Sequence, residues 1–164
     1  MPQTLIDTPF GPIGIRWLGE TLTGVDLDPP VERAEGGYAT VPPSIQRQFS
    51  AYFEDRSGFD LAVALAGTAF QERVWDELRR IPPGKTRTYG EIAGLLRSSP
   101  RAVGQACRAN PCPIVVPCHR VVASRGLGGF SGDSSGRKLA VKRWLLRHEG
   151  VADLSTASRA TTKF

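Results

Sequence analysis

The hydrophobic pattern of this 164-residue chain changes at Gly67, and this change limits the folds open to it. Before Gly67, short runs that alternate apolar and polar residues are separated by Gly and Pro, which predicts antiparallel strands. The runs are Thr4–Thr8, Ile13–Trp17 and Thr21–Leu27. After Gly67, apolar residues recur at helical spacing. The sequence therefore predicts an α/β chain, with a small sheet-containing domain over residues 1–67 and a mostly α-helical domain over residues 68–150.

The rest of the first domain and the end of the chain are predicted from weaker signals. Ser44–Phe53 carries its apolar side chains on one helical face, and Asp60–Ala66 is typical of one more strand. Residues 29–43, which are rich in Gly, Pro and Glu, are predicted to form a loop. Residues 151–164 are small and polar, a composition typical of a disordered tail.

Three helix starts follow Gly67. Two have the spacing of a capping box, and the third combines a serine N-cap with proline at the first helical position. They are Thr68 with Gln71, Thr88 with Glu91, and Ser99 with Pro100. The second and third predicted helices, ending near Leu96 and Arg108, are joined by a short turn, which is the arrangement of a helix-turn-helix. A last helix is predicted from Ser135 or Gly136 to Glu149.

Charge divides the chain in the same way as the hydrophobic pattern. Residues 1–70 hold four Lys or Arg against nine Asp or Glu, whereas residues 71–149 hold fifteen against six. An acidic first half and a basic second half indicate that the second half meets a polyanion, most simply nucleic acid. A basic face that is only solvated would give the same counts, so charge alone leaves both interpretations open.

Composition also excludes several classes of protein. No apolar run approaches the roughly 20 residues of a membrane helix, and the first ten residues do not have the pattern of a secretory signal, so the expected location is the cytoplasm. The cysteines are Cys107, Cys112 and Cys118, an odd number within a short segment, which argues against a disulfide framework. Their spacing relative to His119 does not fit a zinc site. We therefore expect neither a metal nor a cofactor.

The most reactive-looking segment is Pro117-Cys118-His119-Arg120, which has valines on both sides. Cysteine reacts as its thiolate, so a neighbouring base that takes the thiol proton would activate it. In a straight strand Cys118 and His119 would point to opposite faces, and Pro117 makes a bend plausible. Glu149, one of the few acids in the basic half, is the best candidate to stabilise His119 once it is charged. An inert buried cysteine is the alternative interpretation.

Several motifs in register resemble one known family. They are Pro117–Val122 preceded by Asn110-Pro111, Thr88-Tyr89-Gly90-Glu91, Arg101-Ala102-Val103-Gly104, and Trp144–Gly150. Together they resemble the O6-alkylguanine-DNA alkyltransferases, also called methylated-DNA–protein-cysteine methyltransferases. The resemblance is close over about residues 68–150 and looser in the first half, through Pro9–Pro12 and the strand pattern.

The resemblance implies DNA repair by direct damage reversal. Cys118 would accept an alkyl group from O6 of guanine, with O4 of thymine as a further candidate, once per molecule. His119 would take the thiol proton through a water, and Glu149 would support His119. Asn110 would fix the turn that holds the active-site segment. Tyr89 would crowd the phosphate to drive rotation of the damaged nucleotide and then donate to the base.

The resemblance also implies which residues meet the DNA. Arg101 would fill the gap that the flipped nucleotide leaves in the duplex. The small residues Ala102 and Gly104 let a helix backbone approach a narrow minor groove.

The pocket for the base would be formed by further residues. The carbonyl groups of Cys118 and Val121 would accept from the exocyclic amine of guanine, and the backbone amide of Ser131 would donate to its oxygen. Lys142 matches a lysine near the pocket.

In fold, the resemblance implies a ribonuclease H-like first domain and a winged helix-turn-helix-like second domain. The expected partner is double-stranded DNA that contains alkylated guanine, with no membrane. The expected state in solution is a monomer, and cooperative assembly on DNA is left open. Pro100, where the family usually has a small or basic residue, and a longer loop over residues 132–138 depart from the pattern.

Three other classes of protein compete with this interpretation. An alkyltransferase-like protein would bind damaged DNA without reaction, but those proteins replace the acceptor cysteine. A helix-turn-helix regulator would bind a specific duplex sequence without alkyl transfer. A cysteine hydrolase that uses Cys118 and His119 would turn over an acyl substrate and would not explain the basic second half.

Overall fold

Three antiparallel strands form a sheet near the start of the chain, in the order β1-β2-β3. In the computed structural model, which describes residues 2–30, 39–128 and 136–152, they span Gln3–Ile6, Ile13–Leu18 and Thr21–Asp26. Alternate residues of β2, namely Ile13, Ile15 and Trp17, are buried, so the sheet has one apolar face. The three predicted strands are therefore confirmed.

Helix α1 (Pro43–Asp55) follows the sheet, and its buried residues are Ile45, Phe49 and Tyr52. The rings of Phe49 and Tyr52 lie 5.0 and 5.1 Å from the ring of Phe59, centroid to centroid. The helix predicted over Ser44–Phe53 is thus confirmed, with two further residues at its end and one at its start.

The predicted strand Asp60–Ala66 is wrong. This segment makes one parallel bridge, between Val63 and Leu22 of β3. Leu22 N–H donates to Ala62 O at 2.9 Å, and Ala64 N–H donates to Leu22 O at 2.9 Å. Farther along β3, Val25 N–H donates to Pro111 O at 2.9 Å. Since a second segment takes up the next part of the β3 edge, pairing with residues 62–64 stops after one residue.

The chain forms two compact units, and one of them is discontinuous in sequence. The first unit combines Met1–Leu65 with Pro111–Val115, and the second combines Ala66–Asn110 with Val116–Phe164. The predicted division at residue 67 placed 111–115 in the second domain, whereas the structure groups these residues with the first unit. Their bond to Val25 is part of the reason, because it makes them an addition to the β3 edge.

The second unit consists mainly of helices: α2 (Ala69–Arg79), α3 (Tyr89–Leu96), α4 (Pro100–Arg108) and α5 (Arg137–His148). Both predicted capping boxes are present, at Thr68 with Gln71 and at Thr88 with Glu91. Ser99 accepts a hydrogen bond from Ala102 N–H at 3.1 Å, as expected of an N-cap. Between α3 and α4, Arg97 adopts a left-handed conformation (φ 53°) that ends α3. The short connection predicted between these helices is confirmed.

Trp75 is the largest side chain in the core of the second unit, and it explains Gly67. The Trp75 indole is buried and donates to Ala106 O at 2.8 Å, which joins α2 to α4. A Cβ at residue 67 would lie 2.5 Å from the Trp75 ring. Glycine is therefore required where the chain enters α2.

Two short strands complete the second unit. Strand β4 (Arg87–Thr88) pairs in parallel with β5 (Val121–Val122). Because Thr88 is also the N-cap of α3, this pairing fixes the start of α3 beside the segment that follows Cys118. Within the described ranges, no helix is both long enough and apolar enough to span a bilayer.

Candidate active site

Cys118, His119 and Arg120 form a single 3-10 turn between Pro117 and strand β5. Arg120 N–H donates to Pro117 O at 3.0 Å and closes the turn. Three residues per turn separate neighbouring side chains by about 120°, so Cys118 and His119 do not point to opposite faces as in a strand. The bend that the sequence suggested at Pro117 is therefore present, and all three side chains are buried.

Asn110 lies at the end of α4 and holds the start of this turn. Its Nδ2 donates to Val116 O at 2.8 Å, and its side chain also hydrogen-bonds Cys118. Residues 111–115, between Asn110 and Val116, belong to the first unit. The hydrogen bond from the Asn110 carboxamide to Val116 therefore connects the residue at which the chain leaves the second unit with the residue at which it returns. Asn110 therefore has a structural role as well as contact with the cysteine.

Cys118 is a poor nucleophile in its resting environment. Only 2% of the residue is exposed. Burial raises the pKa of the thiol to about 11, although Asn110 and the charge of Lys142 oppose this shift. At neutral pH the group is therefore a thiol, and it needs a base to react as a thiolate.

His119 is placed to be that base. Its Nε2 lies 2.8 Å from Glu149 Oε2, and both side chains are completely buried. Burial alone would raise the pKa of Glu149, but His119 and Arg120 more than offset this and hold the pKa well below its usual range. An ionised carboxylate only accepts hydrogen bonds, so Nε2 carries the imidazole proton. Nδ1 is then unprotonated, and it has no hydrogen-bond partner among the described residues.

The protonation of His119 at rest follows from the same surroundings. Burial lowers its pKa, and the charges of Arg120 and Lys142 act in the same direction against Glu149. His119 is therefore neutral near pH 7. A neutral imidazole with a free, buried Nδ1 is a proton acceptor next to a thiol in the same turn.

Lys142 of α5 brings a second charge to the site. It is fully buried, and its Nζ donates to Val121 O at 2.7 Å. Burial lowers the pKa of its ammonium group to about 8, against the influence of Cys118 and Cys107. Nζ also lies 5.8 Å from the centroid of the Tyr89 ring. The ammonium group therefore stabilises negative charge that develops on Cys118.

Tyr89, the first residue of α3, is half-buried. Burial and the nearby Cys107 and Cys118 raise the pKa of its hydroxyl, which stays protonated and can donate. Gly128 (φ 73°) runs close to this ring, and a Cβ there would lie 3.1 Å from it. Gly104 of α4 faces the same ring at 3.9 Å, measured in the same way.

The structure brings together most of the residues that the sequence proposed. The described members, all in the second unit, are Cys118, His119, Glu149, Asn110, Tyr89, Val121 and Lys142. Arg101 is exposed and Ala102 half-buried in the first turn of α4. Ser131 lies outside the described residues, as does the loop at 132–135.

Arg120 was not proposed for the site, yet it contacts Glu149 twice, at 2.9 Å from Nε and from Nη2. The sequence signal that could have identified Arg120 as a site residue was its position directly after Cys118 and His119. Among the described residues, no cluster of three or more His, Cys, Asp or Glu is arranged to hold a metal ion.

Comparison with known proteins gives a consistent result. Residues 69–151 match the family model described as 6-O-methylguanine DNA methyltransferase, DNA binding domain. A methylated-DNA–protein-cysteine methyltransferase of Methanosarcina acetivorans is 38% identical, with 92% of this chain and 99% of the relative covered. The structure of Mycobacterium tuberculosis OGT in complex with DNA is 35% identical, with 98% of each chain covered and a TM-score of 0.75. The chain therefore belongs to the O6-alkylguanine-DNA alkyltransferase family, the methylated-DNA–protein-cysteine methyltransferases.

Proposed function

We propose that this protein repairs DNA by transferring an alkyl group, in the simplest case methyl, from O6 of guanine to Sγ of Cys118. The observation that carries the proposal is a buried thiol followed, in the same 3-10 turn, by His119, whose Nδ1 has no hydrogen-bond partner among the described residues and whose Nε2 is held by Glu149. The relatives are named methylated-DNA–protein-cysteine methyltransferases, a name that makes a protein cysteine the methyl acceptor.

The transfer proceeds by displacement at the alkyl carbon. The Cys118 proton passes through a water to Nδ1 of His119, and the thiolate attacks the alkyl carbon as the bond from that carbon to O6 breaks. The electron pair of that bond goes to the guanine, which accepts a hydrogen bond from the Tyr89 hydroxyl and takes its proton from water, while the imidazolium of His119 returns its proton to the solvent. The ammonium of Lys142 stabilises the thiolate before attack. The product is a thioether, so each molecule reacts once.

The damaged base reaches Cys118 outside the duplex, since an atom within the base stack is out of reach. Helix α4 enters the minor groove, where Ala102 and Gly104 allow close approach. Arg101, exposed in its first turn, occupies the space that the nucleotide leaves. The Val121 and Cys118 carbonyl groups and the Ser131 amide orient the base.

At the level of fold and setting, we assign the first unit to the ribonuclease H-like class and the second to the winged helix-turn-helix class. The antiparallel order of β1, β2 and β3 and the α3–α4 pair are consistent with these classes. The protein is a monomer in solution and acts on double-stranded DNA in the cytoplasm. Alkyl transfer from O4 of thymine is a second reaction for the same site.

Intact-protein mass spectrometry after incubation with duplex DNA that contains O6-methylguanine tests the proposal. We expect one added methyl group, located on Cys118 by peptide mapping, and no addition to Cys118→Ser. Cys112→Ala is the matched control, because Cys112 is also buried, and it should gain the methyl group like the wild type. Binding without a change in mass would instead favour a damage-recognition protein and overturn the proposal.

A further inference from the structure

The guanidinium group of Arg120 donates to both oxygens of one buried carboxylate, that of Glu149, and to one backbone carbonyl. Nε donates to Glu149 Oε1 and Nη2 to Glu149 Oε2, both at 2.9 Å, while Nη1 donates to Ile81 O at 2.6 Å. The Arg120 side chain is 8% exposed and the Glu149 side chain is completely buried. A two-point contact fixes both the position and the plane of a carboxylate, which a single hydrogen bond does not.

Glu149 Oε2 receives Arg120 Nη2 and also lies 2.8 Å from His119 Nε2. We propose that Arg120 is a positioning residue for alkyl transfer: its fork holds the Glu149 carboxylate on the Nε2 side of His119, so that Nδ1 stays free to accept the thiol proton. This inference rests on the proposed function, because it assigns Arg120 a part in the activation of Cys118.

Arg120 also determines where the transferred proton stays. When the thiol proton reaches Nδ1, His119 becomes an imidazolium that already donates from Nε2 to Glu149. Movement of that second proton onto Glu149 would leave a neutral acid beside a buried guanidinium ion, which is unfavourable. The proton therefore remains on His119, and the negative charge remains on Glu149 while Cys118 reacts.

Burial lowers the pKa of His119, and the positive charge of Arg120 adds to this effect, so His119 is unprotonated before the reaction. The charged groups that act on His119 are Glu149 at the end of α5, Lys142 within α5, and Arg120 in its own turn. Glu149 favours the imidazolium, and the two cations oppose it. From the end of α2, the neighbouring group is the Ile81 carbonyl, which holds Arg120 rather than His119.

The pH dependence of single-turnover transfer tests this role with Arg120→Met and Arg120→Lys. Transfer falls at low pH as His119 becomes protonated. Without the guanidinium charge, the acid limb of the rate profile should move to higher pH by about 1 unit, the shift typical of a nearby charge. Arg120→Lys keeps the positive charge but loses the two-point contact, so the acid limb of its rate profile should shift less. Arg47→Met, the same change at an exposed residue of α1, should leave the profile unchanged.

Nitrogen-15 NMR of His119 gives a second readout that does not depend on transfer. The chain has two histidines, so His148→Gln assigns the spectrum. In the wild type at pH 7 we expect Nε2 protonated and Nδ1 bare, with a pKa below the ordinary 6.5. In Arg120→Met that pKa should rise. A wild-type ring protonated on Nδ1, or one that titrates at or above 6.5, would overturn the inference even if the variants do not fold.

The two proposals can fail separately. If the wild type never gains a methyl group but His119 titrates as expected, the proposed reaction is wrong and the role of Arg120 toward Glu149 and His119 stands. If methyl transfer occurs and neither the rate profile nor the His119 pKa responds to Arg120→Met, the reaction stands and Arg120 is only structural.

Discussion

At the scale of single residues, Glu149 is the most heavily engaged side chain of the site. It receives His119 and both arms of the Arg120 fork, with no side-chain exposure. A buried carboxylate is tolerated only when its charge is matched, and here Arg120 supplies the opposite charge while His119 donates a hydrogen bond. Neutralising Glu149 therefore affects stability as well as chemistry, because it leaves Arg120 buried without a counter-charge.

We predict that Glu149→Gln lowers the free energy of unfolding at pH 7 by about 3 kcal/mol, a typical cost of removing one partner of a buried ion pair. The folded-state pKa of Glu149 lies below its usual 4.5, so its contribution is present above pH 4.5 and is lost as pH falls. The difference between wild type and variant should therefore shrink on acidification. Urea unfolding across pH measures it.

Asp76→Asn is the control for this experiment, because Asp76 is an exposed carboxylate of α2. It should lower stability by no more than a few tenths of a kcal/mol at any pH. A Glu149→Gln deficit that stays constant down to pH 3 would contradict the assignment of an ionised Glu149.

At the scale of elements, local signals predicted helices well and long-range pairing poorly. The starts of α2, α3 and α4 follow from caps within four residues of sequence, and all three are present. The strand predicted over residues 60–66 failed because pairing depends on the edge of β3, which Pro111 also occupies. The proposed contact of His119 with Glu149 is present, although their spacing of 30 residues carried no signal of it.

The N-cap of α4 can be tested by substitution. Ser99→Ala removes the acceptor of Ala102 N–H and should destabilise the protein by about 1 kcal/mol. Since α4 is the helix proposed to enter the groove, affinity for duplex DNA should fall as well. Thermal unfolding and fluorescence anisotropy measure the two effects.

Ser98→Ala is the matched control, one residue earlier in the same exposed turn and outside the N-cap position. It should change stability by less than about 0.5 kcal/mol, the range of ordinary surface substitutions. Equal losses in the two variants would show that the Ser99 cap does not hold α4.

At the scale of the whole molecule, charge is distributed unevenly along the chain. The fifteen cationic and six acidic residues of 71–149 lie in the part that matches the DNA-binding family model. Composition therefore indicated the partner correctly. The role of Arg120 could not be read from composition, since the same residue adds to the basic count and yet is buried against Glu149.

DNA affinity should decrease steeply as salt concentration rises, because phosphate contacts release condensed counterions. A plot of log Kd against log salt should be linear, with a slope that reports the number of contacts. Arg47→Met, in the acidic part of the chain, should leave the slope unchanged. A slope near zero for the wild type would show that the basic part of the chain does not bind phosphates.

The interrupted course of the chain also affects attempts to divide it. Five residues of the first unit, Pro111–Val115, are inserted between Asn110 and Val116 of the second. No single cut can release either unit whole. A fragment that begins at Ala66 would still contain residues 111–115, which would be separated from the rest of the first unit. Deleting those five would remove the loop that the Asn110 carboxamide closes. Recombination between relatives should therefore succeed only when residues 111–115 come from the same parent as residues 1–65.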